Sequence, residues 1–88
     1  MVKGNLQFSQ VFLDAYGNLP PVVRRKVDRQ LAILTQDVTH PSLRIRKMTD
    51  MYGIWEGRVD RRYRFTFERM HGIIRLRTLG MHQIYQRP

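Results

Sequence analysis

The stretch that most constrains this chain is "RVDRRYRFTF", residues 58 to 67. Tyr63, Phe65 and Phe67 alternate with Arg62, Arg64 and Thr66. A period of two residues is that of a strand with one face on a core and one face in water. The wet face is unusual. Solubility alone is served by a mixture of lysine, glutamate, serine and threonine, but here arginine dominates. Arginine holds phosphate through a planar, two-pronged fork, whereas lysine offers a point charge.

The same alternation extends to both sides. "GIWEGRV" (53–59), "RRYRFTFER" (61–69) and "IIRLRTL" (73–79) read as three strands. They are joined near Asp60-Arg61 and by a Met70-His71-Gly72 turn, in which His71 is a turn residue. "LRIRKM" (43–48) reads as a strand ahead of them, with Arg44 and Arg46 alternating with Leu43 and Ile45. Upstream, "NLQF" (5–8) is a short first strand, and Ser9 is placed to cap a helix over 10–16. Val11, Phe12, Ala15 and Tyr16 fall on one face of that helix. "GNLPP" (17–21) breaks the chain before a second helix over 21–35, where proline at the start is well tolerated. Val23, Val27, Leu31 and Leu34 form its buried stripe, and Arg24, Arg25 and Arg29 point away. The short link predicts a helical hairpin.

The expected architecture is a single α+β domain spanning 1–88, in the order β-α-α-β-β-β-β. An N-terminal strand and a helical hairpin pack on a twisted, mostly antiparallel sheet. Val59, Tyr63, Phe65, Phe67, Ile74 and Leu76 supply the strand side of the core, with Trp55 in phase. The opposite sheet face then receives Glu56, Arg58, Arg62, Arg64, Arg75 and Arg77. Neighbouring strands lie about 4.8 Å apart, so these guanidiniums are expected to converge on one patch. Like charges at that spacing repel, and a bound polyanion relieves the repulsion.

Charge supports the same direction. The chain of 88 residues carries a net charge of +9, and thirteen of its sixteen cations are arginine. Residues 1–41 hold a net +2 and residues 42–88 a net +7. A basic, arginine-rich half points to a nucleic acid first and an acidic protein second. There is no cysteine, which suits a reducing compartment. "MVKGNLQFSQ" has no apolar signal core, and no apolar run approaches the ~20 residues of a membrane span, so a soluble, cytoplasmic protein is expected. Histidines at 40, 71 and 82, with no clustered acids, match no metal-ligand spacing. Neither a glycine-rich phosphate loop nor a serine or cysteine nucleophile motif occurs, so no metal or small-molecule cofactor is expected.

Three blocks, "HPSLRIRKM", "GIWEGRVDRRYRFTFE" and "LRTLGMHQIYQRP", together with the helix "LPPVVRRKVDRQLAIL", resemble the RelE/ParE superfamily of bacterial toxin–antitoxin toxins, and within it the RelE/YafQ-like branch. The resemblance covers nearly the whole chain. It implies a small toxin neutralised by an acidic antitoxin. RelE-like members cut mRNA in the ribosomal A site without a metal, so ribosome and mRNA are the implied partners. ParE-like members share the fold and poison DNA gyrase instead, and a degenerate member would only bind its antitoxin. Fold alone does not choose among these.

The resemblance also suggests roles. Arg64 stands where RelE-like ribonucleases carry a phosphate-binding arginine, and Arg58 has the same facing one strand earlier. His82 in "LGMHQIY" matches a Gly-x-His pattern, and an imidazole titrating near neutrality can take or return the 2′-hydroxyl proton. Tyr85 is a candidate for base stacking or proton donation. Glu56 is a candidate base or orienter of His82; the plainer reading is a partner for its arginine neighbours. Arg44, Arg46, Lys47, Arg62, Arg75 and Arg77 read as cations that position an RNA backbone. His40, before Pro41, shapes a loop or acts as its counterpart does in YafQ-like toxins. Three positions depart from the pattern. Trp55 and Gly57 stand where RelE-type enzymes have lysines, and YafQ-like members have an arginine near Thr78, where only the adjacent Arg77 could substitute, from the opposite face.

Overall fold

Alternation fixes which face of the central hairpin is dry, and the structure shows what covers it. The structure is a computed structural model, and it describes residues 5–49 and 52–81. Its elements are β1 (Leu6–Phe8), α1 (Gln10–Gly17), α2 (Pro21–Gln36), a 3-10 turn (Pro41–Leu43), β2 (Arg46–Lys47), β3 (Trp55–Arg58), β4 (Arg64–Met70) and β5 (Ile73–Gly80). The five strands form one sheet in the order β1-β5-β4-β3-β2. All pairings are antiparallel except β1 with β5, where Leu6 lies opposite Ile74. The helices cover one face: Phe12, Val27, Leu31 and Leu34 pack with Phe65, Phe67, Ile74, Leu76 and Leu79. Val59 joins this core and Tyr63 borders it, as the alternation predicts.

Local chemistry explains the element ends. Ser9 caps α1 by accepting from the Phe12 N–H at 3.0 Å, and its hydroxyl donates to the Arg77 carbonyl at 2.6 Å, which ties the helix start to β5. Pro21 opens α2 at a position where no N–H is needed. The Tyr16 hydroxyl donates to Asp28 at 2.7 Å and links the two helices. Between β4 and β5, His71 (φ 49°) and Gly72 (φ 81°) both take left-handed backbone, the two-residue turn whose twist suits a hairpin.

Several expectations need correction. The strand over 43–48 shrinks to Arg46–Lys47. Leu43 instead ends the 3-10 turn and is fully buried, and Arg44 follows it in left-handed backbone (φ 47°). The polar alternation of Arg44 with Arg46 therefore does not exist. Arg62 lies in the loop before β4 rather than on the strand, because Asp60 captures the Arg62 and Tyr63 N–H groups, both at 2.9 Å. Val11 shares no core contact and is 62% exposed; Phe12 alone of α1 is buried. On β5 an extra residue interrupts the ladder: Thr66 pairs with Thr78 but Phe67 pairs with Leu76, which leaves Arg77 as a bulge.

Candidate anion-binding site

The helix-free sheet face is built in rows, because directly opposed residues on neighbouring strands share a face. One row is Arg58, Arg64 and Gly80. The next is Arg46, Glu56, Thr66 and Thr78. A third holds Glu68 and Arg75, with Gln7 on β1. Trp55 and Gly57 are opposite Phe67 and Phe65, on the covered side, so the two lysine positions of RelE-type enzymes belong to the core here.

Arg58 and Arg64 are thus direct cross-strand partners, and both are half-buried. Opposed Cβ atoms lie about 4.5–5.5 Å apart, so the two side chains leave the sheet at neighbouring points. Gly80 completes the row without a side chain. Among the described residues Arg64 forms no ion pair with an acid. Its Nη1 donates to the carbonyls of Asp60 and, at 3.1 Å, Tyr63, and its remaining N–H groups make no hydrogen bond among the described residues. The loop that holds it is itself tied down: Lys26 on α2 meets Asp60 at 3.1 Å. Burial acts to raise the Asp60 carboxyl, but the N–H groups of Tyr63 and Arg62 and the Lys26 ammonium outweigh it, and its pKa lies below the ordinary value. On β3, the Gln30 amide from α2 donates to the Arg58 carbonyl at 2.9 Å and to the Ser42 carbonyl at 3.2 Å. A buried glutamine therefore sets the backbone on which Arg58 sits.

Glu56 is 4% exposed and accepts from Arg46 Nε at 2.7 Å. Its second oxygen, Oε2, is buried with no hydrogen-bond partner among the described residues. Thr66 and Thr78 share a hydroxyl hydrogen bond of 2.5 Å beside it. The floor is thus one buried carboxylate and two hydroxyls, beside the cross-strand pair Arg58 and Arg64.

The remaining cations do not join this row. Arg77 pairs with Glu68 at 2.8 Å, and Arg75 lies opposite Glu68 in register. Residue 68 is four positions from residue 64, about 13 Å along the strand. The single converging patch is therefore two groups, and each contains an ion pair, Arg46–Glu56 in one and Arg77–Glu68 in the other. Arg44 and Arg62 are exposed in loops, and Lys47 sits 5.5 Å from the Trp55 ring centroid on the covered side. His40 shapes its loop: its Nδ1 accepts from the Ser42 N–H at 3.2 Å and caps the 3-10 turn. His82 and Tyr85 lie outside the described residues. Among the described residues, no three histidine, aspartate or glutamate side chains form a metal-holding group, and no helix is long and apolar enough to cross a membrane. Reading the sequence missed Asp60 and Gln30. Asp60 before two arginines carried a turn signal; Gln30, on the stripe of α2, carried none, since its partners are 12 and 28 residues away.

The order of elements and the five-stranded sheet define a known class, the RelE-like toxin fold. The structure is similar to the RelB–RelE antitoxin–toxin complex of Methanococcus jannaschii, with a TM-score of 0.76 and 17% identity over 91% of this chain and 95% of that chain. It is similar to the YoeB/ParE toxin of Agrobacterium tumefaciens, with a TM-score of 0.76 and 15% identity over 90% of this chain and 99% of that one. The Escherichia coli DinJ–YafQ complex gives a TM-score of 0.71 and 11% identity over 93% and 97%. No protein-family model and no curated protein matches the sequence.

Proposed function

We propose that this protein is the toxin of a toxin–antitoxin module, and that it cuts mRNA on the ribosome without a metal. The observation that carries the proposal is the direct opposition of Arg58 and Arg64, half-buried and facing a glycine, on the face the helices leave open. A scissile phosphate seated there would receive two guanidiniums. The 2′-hydroxyl oxygen attacks the adjacent phosphorus, the bond to the 5′ oxygen breaks, and a cyclic phosphate and a 5′-hydroxyl end result. Arg64 and Arg58 stabilise the charge that grows on the phosphoryl oxygens, commonly the largest single contribution. The resemblance assigns proton movement to His82 and Tyr85. Glu56, with one unpartnered oxygen, is a candidate to accept or orient a proton. The ribosome supplies alignment, the main requirement of an in-line attack.

An acidic antitoxin is the proposed partner. A chain of net charge +9 attracts it, and Phe8, Val11 and Leu13 expose apolar surface beside α1, where an amphipathic segment can lie. The test is induced expression in growing cells, with primer extension on a translated message. The wild-type chain should arrest translation and leave cuts, and Arg64→Ala should do neither. Undiminished cutting by Arg64→Ala and Arg58→Ala would refute the assigned site. Growth arrest with intact mRNA and lost supercoiling would instead identify a gyrase inhibitor.

A further inference from the structure

A second basic site lies on the other side of the sheet. The 3-10 turn and its flanks, residues 38–45, overhang the free end of β3 and β4 and enclose a cleft of about 420 Å³. Trp55 and Phe67 form its apolar wall, and Arg44, Arg69, His40 and Thr39 bring polar groups. Among the described residues no acidic side chain lines it. Neither Arg44 nor Arg69 forms an ion pair among the described residues. Its volume is within the range of sites that take small organic ligands.

We propose that this cleft holds one nucleotide of single-stranded RNA, the base against Trp55 and its phosphate between Arg44 and Arg69. The inference goes beyond the face that carries Arg58 and Arg64 and does not depend on it. Three observations support it. First, an indole in a cleft walled by unneutralised arginines offers the two contacts by which single strands are held, ring stacking and forked phosphate binding. Second, Lys47 already stands over the indole, 5.5 Å from the ring centroid. Lys47 is not among the residues that line the cleft, so it adds a cation beside the indole without filling the space for a base. Third, Arg44 adopts left-handed backbone at φ 47°, a conformation that glycine takes freely and arginine does not. That cap places the arginine on the wall of the cleft. An acidic peptide would meet the same cations, but an aromatic wall with two forked donors fits a base and phosphate better. The edge strand β2 joins the two faces, since Arg46 is paired with Glu56 of the helix-free row and Lys47 with Trp55. One RNA strand can therefore round this edge.

Trp55 is the only tryptophan, so its fluorescence reports the cleft directly. The full chain would be titrated with uridine 5′-monophosphate, with an uncleavable 2′-O-methyl octauridylate, and with an eight-residue glutamate-rich peptide. The expected result is saturable quenching by both nucleotides, tighter for the oligomer. Arg44→Gly, which relieves the backbone, and Arg69→Ala should each weaken the monophosphate about tenfold, as for loss of one charge-assisted contact. Arg64→Ala should leave the monophosphate titration unchanged, which separates this site from the proposed nuclease face. Quenching by the monophosphate but not more tightly by the oligomer would identify a free-nucleotide site and overturn the RNA assignment. Absence of saturable quenching, unaltered affinity in both arginine variants, or quenching by the peptide alone would also overturn it.

Discussion

Among the described residues Arg64 is held by carbonyl oxygens of its own turn and by no carboxylate, so it is fixed in place with its charge left to meet an anion. That combination suits a group that must meet an anion without reorganising. Removing it should lower cleavage about 10²–10³-fold, the usual cost of one preorganised donor. Arg64→Lys should recover little of this, because a single ammonium cannot hold the Asp60 carbonyl and a phosphate together. Single-turnover cleavage in a ribosome assay measures both variants. Asp60 gives the same turn a pH limit. Its folded pKa is depressed, so its contribution is complete above the unfolded value of about 3.9 and is lost as pH falls through the folded value. Asp60→Ala should cost about 1 kcal/mol at pH 7, chiefly from the two N–H bonds, since the half-exposed Lys26 pair is worth little. The gap between variant and wild type in urea midpoint should begin to shrink only below about pH 4. A gap that instead narrows between pH 8 and pH 6 would exclude this carboxyl as its origin.

At the level of elements, β3 depends on one absence. A Cβ built on Gly57 would lie 2.2 Å from the Phe65 ring, and that ring is fully buried. Gly57→Ala should therefore destabilise the fold by about 1–3 kcal/mol, the range for overpacking a dense core, and it should also displace Arg58 next to it. Thermal denaturation and cleavage would fall together, whereas Arg64→Ala should affect cleavage far more. The hairpin of β4 and β5 was legible because its aromatic and aliphatic residues keep a strict period of two, and α2 because its stripe keeps the helical spacing. Two features obey other rules. In β5 the inward residues are Ile74, Leu76 and Leu79, and the step of three from Leu76 to Leu79 is the trace of the bulge at Arg77. Residues 43–46 alternate well enough for a strand, yet Leu43 is drawn into the core and His40 caps the turn before it. Tertiary burial there overrides local pattern, as it often does for β propensity. The facing of Arg58 and Arg64 was likewise readable, but the separation of Arg75 and Arg77 from them was not, because it depends on the register of the bulge.

For the whole molecule, the decisive question is whether the charge of +9 acts as a diffuse cloud or through particular places. The fold divides the two roles. One sheet face is spent on the core beneath the helices, and the other is left to polar groups, two of them facing arginines. Helix α2 carries its own exposed cations, Arg25 and Arg29, on the side that does not touch the core. A diffuse cloud would make all four equivalent toward RNA. A built site would not. Each phosphate neutralised on a single strand contributes about 0.7 to the slope of log affinity against log salt. Replacing Arg58 and Arg64 together by alanine removes the contact to one phosphate and should reduce that slope by about 0.7 for an uncleavable oligonucleotide, with lower affinity at every salt concentration. Replacing Arg25 and Arg29 removes the same net charge and should leave the slope within error of the wild type. Equal losses from the two pairs would mean that charge alone attracts the RNA, and the nuclease reading would then lose its geometric basis.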